Sequence, residues 1–238
     1  MSEILKLATA VSLIALSPAA VATASAQELN VIASFSIIAD LAKNVGGDRV
    51  KITTLVGPGG DAHVYEPKPA DAVAVAGADV VLVNGLEFEG FLERLVEASE
   101  TAAPIVELTK GSEVLSSAEE DHQEGTDEEH ADEEEEEEDH GAFDPHAWQS
   151  VRNAEVYVDN IAEAFCSADA AGCDIYKANA EAYRAQLTAL DAEIRAAVAQ
   201  IPEEKRTIIT SHDAFGYFEH EYGIDFLAPE GVSTESEA

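Results

Sequence analysis

Short apolar runs alternate with helical periodicities along most of the chain. Leu29 to Ala33 predicts a strand, and Ser36 to Val45 a helix closed by Gly46-Gly47. Val50 to Val56 predicts a second strand. It is followed by Gly57-Pro58-Gly59-Gly60, too Gly-rich for a helix, and by a short helix from Pro69 to Ala76. Val80 to Val83 and Ile105 to Leu108 predict two more strands, with a helix from Phe88 to Ala98 between them. This β-α rhythm implies an α/β fold with a parallel sheet covered on both faces.

The second half begins with a helical pattern from Asn153 to Phe165. Tyr176, Ala180, Tyr183, Leu187, Leu190, Ile194, Ala197 and Ile201 then recur at steps of four and three. They predict one helix of about 27 residues, roughly 40 Å long, capped by Asp174 and stopped by Pro202. A two-chain coiled coil is the alternative to a helix spanning two lobes. Thr207 to Thr210 and Ile224 to Leu227 predict strands flanking a helix from Ala214 to Tyr222. A second α/β lobe thus begins at residue 203 and is incomplete at Ala238, which predicts a truncated lobe with open strand edges.

Two segments break the pattern. Lys6 precedes an apolar run from Leu7 to Leu16, then Pro18 and Ala24-Ser25-Ala26. That is the layout of a secretory signal peptide cut after Ala26, and the run is too short to span a bilayer. No cysteine lies near the cut to carry a lipid, so the expected product is soluble and exported. Residues 119–140 hold fifteen acids, no base and almost nothing apolar, which predicts a disordered excursion inside the first lobe. The expected divisions are therefore a signal peptide (1–26), a first lobe (27–152), the helical linker (153–202) and the incomplete lobe (203–238).

With 13 basic and 48 acidic residues the net charge is -35. A polyanion of this kind repels nucleic acid and anionic membrane and suits cations. The two cysteines, Cys166 and Cys173, exclude a four-thiolate zinc cluster. In an exported chain they predict a disulfide across a turn-rich stretch, with a pair of free thiols as the rival.

Seven histidines divide into two groups. His122, His130 and His140 lie in the acidic run and offer weak accessory metal binding. Among the rest, His63 (Asp61-Ala62-His63), His146 (Asp144-Pro145-His146) and His212 (His212-Asp213) each have an aspartate close by. His63 and His212 lie just beyond strands, where parallel sheets bind ligands. Three imidazoles with nearby carboxylates are the materials of a zinc site. His220, mid-helix among charged neighbours, reads as a solvated surface residue. No H-E-x-x-H occurs, so a thermolysin-like protease has no support.

Residues 60–69 (GDAHVYEPKP), 84–90 (NGLEFEG), 143–148 (FDPHAW) and 210–218 (TSHDAFGYF) together resemble the periplasmic zinc-binding proteins of ABC importers, the ZnuA type. The resemblance covers essentially the whole chain after residue 26. It implies two α/β lobes joined by a long rigid helix, one metal in the cleft, and His63, His146 and His212 as imidazole ligands. It also implies a His- and acid-rich loop before the D-P-H motif. Manganese-binding relatives have Glu where His212 stands, so His there favours zinc. Two features depart from the pattern. Ala62 stands where some zinc members have Glu, and the Asp that serves others as fourth ligand lies beyond Ala238. The expected function is capture of zinc in the periplasm by a monomer that hands it to a membrane permease, without catalysis. A manganese carrier or adhesin of the same fold is the alternative, and a zinc hydrolase a more distant one.

Overall fold

The computed structural model describes residues 28–117, 142–229, 231, 232 and 234. The expected signal peptide and the acidic run with His122, His130 and His140 lie outside the described residues. The first sheet has four parallel strands, β1 (Leu29–Phe35), β2 (Val50–Val56), β3 (Val80–Val83) and β4 (Ile105–Glu107), in the order β2-β1-β3-β4. Every residue of β3 is buried, as are all but one of β1. Both strands therefore read as apolar runs rather than alternating ones, because helices cover both faces.

Helix α1 (Ser36–Gly46) links β1 to β2, α2 (Pro69–Ala76) links β2 to β3, and α3 (Leu92–Ser99) links β3 to β4. On one face α1 packs with α4 (Val151–Ala168) and α5 (Cys173–Val198), while α2 packs with α3. The chain winds outward in one direction from β1 to β2, then crosses back to β3. The crevice between the carboxyl ends of β1 and β3 is thus a topological switch point, where such sheets bind ligands.

The segment from Phe88 to Phe91 is not helical, contrary to its apolar spacing, and α3 starts only at Leu92. The Glu89 carboxylate folds the chain back by accepting the N–H groups of Asn84 and Gly85, at 2.7 and 3.2 Å. Gly85, Leu86 and Glu87 all have positive φ as a result. Gly85 is obligatory, since a Cβ there meets the Thr109 hydroxyl at 2.9 Å.

Helix α5 opens from Gly172, so Asp174 sits in its first turn rather than capping it. It ends at Val198, short of Ile201. Its first half buries Tyr176, Ala180 and Leu187 against α1 and α4. Farther along, Leu190 is 44% exposed and Val198, not Ala197, is the buried position. The apolar stripe outlasts the surface available to it, because the contact there is a small one with α6 (Gly216–Tyr222). Cys166 and Cys173 form a disulfide across the α4–α5 turn. Asp169 in that turn accepts hydrogen bonds from Arg49 and from the Tyr176 hydroxyl.

The second sheet holds β5 (Thr207–Ile209) and β6 (Asp225–Leu227), paired in parallel with α6 between them. The strands are not buried on both faces: Ile209 is 79% and Leu227 57% exposed. Two strands and one helix leave part of the apolar surface of this unit uncovered, at Ile208, Ile209 and Leu227. No helix among the described residues is long and apolar enough to cross a membrane.

Candidate metal centre

His63 lies in the loop between β2 and α2. The Asp61 carboxylate accepts the His63 N–H at 2.9 Å and closes a tight turn that aims the ring. Farther along, the Tyr65 hydroxyl donates to Asp71 in the first turn of α2 at 2.8 Å, and its ring lies 5.1 Å from Phe91. The loop is thus fastened on both sides of His63.

His146 is buried, and so is the group that orients it. One oxygen of Asp144 accepts both the His146 N–H at 2.9 Å and Nδ1 at 2.7 Å. Nδ1 therefore carries the proton, and Nε2 presents its lone pair to the crevice. The D-P-H turn is itself held by Asn84, at the carboxyl end of β3. The Asn84 amide donates to the Pro145 carbonyl at 2.8 Å, and its oxygen accepts the Tyr157 hydroxyl at 2.5 Å. Glu89 fixes Asn84 through its backbone and also accepts the Ser34 hydroxyl from β1 at 2.6 Å. Burial raises the Glu89 carboxyl above its ordinary range, against the pull of hydrogen bonds from the Ser34 hydroxyl and from backbone N–H groups that include those of Asn84 and Gly85.

His212 follows β5, where the Thr210 hydroxyl donates to its carbonyl at 3.2 Å. Its ring lies 5.8 Å from that of His63 and 5.5 Å from that of His146, centre to centre. One ligand nitrogen from each of the three histidines falls within 4.8 Å of the others. This is the one cluster of His, Cys, Asp and Glu among the described residues with metal-ligand spacing. His63 Nε2 and His146 Nε2 are 3.2 Å apart. Two nitrogens bound to a tetrahedral zinc at 2.0–2.1 Å lie about 3.3 Å apart, so this pair already has ligand spacing.

The imidazoles face a cavity of about 810 Å³, whose wall includes Phe35, Phe88, Trp148, Asp61 and Thr234. Phe88 stands edge-on to His63 at 4.8 Å, and Trp148 lies 5.3 Å from His146. Burial, with the neighbouring His146 second, lowers the His63 pKa to about 4. The ring is therefore neutral and ready to ligate at physiological pH. Asp61 is held below the ordinary carboxylate range despite partial burial, because Thr234 and the His63 N–H donate to it.

All three expected ligands converge, while His220 lies exposed on α6, 3.8 Å from the Glu113 carboxylate. Periodicity missed the clamp of Asn84, Glu89 and Tyr157. An Asn-Gly pair directly after a fully apolar strand, followed by acids alternating with apolar residues, was the available signal.

A doubly wound sheet with three imidazoles converging at its switch point defines a candidate receptor for a divalent metal ion. The family described as "Zinc-uptake complex component A periplasmic" matches residues 31–238, and the chain belongs to that family of periplasmic solute-binding proteins. The manganese-binding lipoprotein MntA of Bacillus subtilis (strain 168) is 33% identical over 214 residues, covering 89% of this chain and 63% of the relative. The iron-binding protein YfeA of Yersinia pestis is 32% identical over 200 residues, covering 84% and 58%. The periplasmic zinc-binding protein TroA of Treponema pallidum superposes with a TM-score of 0.74 at 29% identity, over 89% of this chain and 70% of that one. The chain spans about three fifths of the length of the first of these curated relatives.

Proposed function

We propose that this protein captures zinc in the periplasm and delivers it to the permease of an ABC importer. The observation that carries this reading is the convergence of three imidazole nitrogens within 4.8 Å, with no carboxylate in the cluster among the described residues. Imidazole suits zinc, whereas carboxylate and carbonyl oxygen suit manganese. His63, His146 and His212 are the ligands in this reading, and the ion is cargo rather than a catalytic group. Family membership supports uptake over hydrolysis.

A manganese or iron carrier is the second reading, favoured by the printed names of MntA and YfeA. Competition titrations against a chelator, with zinc, manganese and ferrous iron, separate the two. Zinc binding at least a hundredfold tighter than manganese is expected, and the reverse order overturns the zinc assignment. In the same reading the acidic run, with His122, His130 and His140, holds further zinc weakly beside the tight site.

A further inference from the structure

Tyr217 is buried in the first turn of α6, five residues beyond His212. Its hydroxyl donates to the Asp144 carbonyl at 2.7 Å and accepts the Leu115 N–H at 3.0 Å. Asp144 is the residue whose carboxylate orients His146. A short relay therefore runs from His212 along the start of α6, through the Tyr217 hydroxyl, to Asp144 and on to His146. Other polar ties of α6 among the described residues lead elsewhere, and Glu219 accepts the Phe226 N–H within the second sheet's own unit. Tyr222 bonds Asp191, Glu221 pairs with Arg152 and Arg195, and His220 approaches Glu113. None of those partners lines the cavity.

We propose that Tyr217 is a positioning residue whose hydroxyl acts as a strut, setting the distance between His146 and His212 at which three imidazoles grip one ion. This rests on the reading of the cluster as a metal receptor. His63 and His146 both belong to the first sheet's loops and already stand 3.2 Å apart. His212 arrives from the second sheet, on the segment between β5 and α6, so its distance from His146 depends on how that segment is held against the first sheet. Removing the hydroxyl leaves the ring in place but releases the Asp144 carbonyl and the Leu115 N–H. Supporting groups of this kind change metal affinity by about 10- to 100-fold.

The test is a double-mutant cycle read by zinc competition on the full chain. Tyr217→Phe is expected to weaken zinc about tenfold in the parent. In a His212→Ala background it is expected to change affinity by less than about twofold, because the strut then has no third ligand to place. An equal loss in both backgrounds assigns Tyr217 to the general fold and overturns the proposal, as does an unchanged parent affinity. His212→Ala binding zinc as tightly as the parent instead overturns the receptor reading itself. A second measurement needs no Tyr217 variant. Zinc is expected to slow hydrogen exchange of the Leu115 amide about tenfold in the parent and not in His212→Ala. An amide indifferent to zinc in the parent also overturns the strut.

Discussion

Replacing Asp144 tests how this site turns burial into affinity. Both His146 hydrogen bonds end on one oxygen of a carboxylate that is 1% exposed. Asp144→Ala removes the acceptor that holds Nδ1 protonated and the ring aimed. Loss of such a carboxylate costs about 10- to 100-fold in metal affinity, or about 1.4–2.7 kcal/mol. It also strands the buried His146 N–H, which costs the ion-free protein about 1–3 kcal/mol. For a chain of this length, each kcal/mol lowers Tm by about 2–4 °C. Asp144→Asn keeps an acceptor oxygen and loses only the charge, so its affinity should fall between those of Ala and the parent. The single tryptophan, Trp148, lies 5.3 Å from the His146 ring. Its fluorescence during a chelator-buffered zinc titration reads affinity, and a melt of the ion-free protein reads stability. Asp144→Ala binding zinc as tightly as the parent refutes the claim that this carboxylate prepares the ligand.

The ion-free protein should also lose stability in acid through His63. Its folded pKa is about 4 against an ordinary 6.5, so the unfolded chain takes up the proton first. The His63 contribution is present above pH 6.5 and lost as pH falls from 6.5 through 4. Urea unfolding across that window should show this slope, reduced in His63→Phe. Replacing Cys166 and Cys173 by Ser should cost about 2.5 kcal/mol in the chain-entropy model, and denatured, unreduced parent should show no titratable thiol. Deleting residues 119–139 should leave one tight zinc site and abolish weak binding beyond one equivalent. Loss of the tight site on deletion contradicts the accessory role given to that run.

The strands were legible because β1 and β3 are buried almost throughout, so β3 appears as an unbroken apolar run and β1 as one interrupted only at Asn30 and Ser34. The three histidines stood out for a related reason. His63 and His212 lie in the loops that follow strands β2 and β5, and the Asp61 and Asp144 turns are local in sequence. What stayed hidden depends on distant groups. The helix expected from Phe88 fails because the Glu89 carboxylate captures the N–H groups of Asn84 and Gly85, and no periodicity encodes that capture. The long helix carries an apolar stripe to Ile201, yet exposure sets in near Leu190, where α6 offers only a small packing surface. Tyr217 lies 73 residues from Asp144, so their bond has no signature in the chain.

X-ray absorption at the zinc edge of the protein loaded with one equivalent of zinc tests the central claim most directly. Three imidazole nitrogens at about 2.0–2.1 Å are expected in the parent, falling to two in His212→Ala. A parent shell dominated by oxygen, or one that His212→Ala leaves unchanged, contradicts the assignment of His63, His146 and His212 as the zinc ligands.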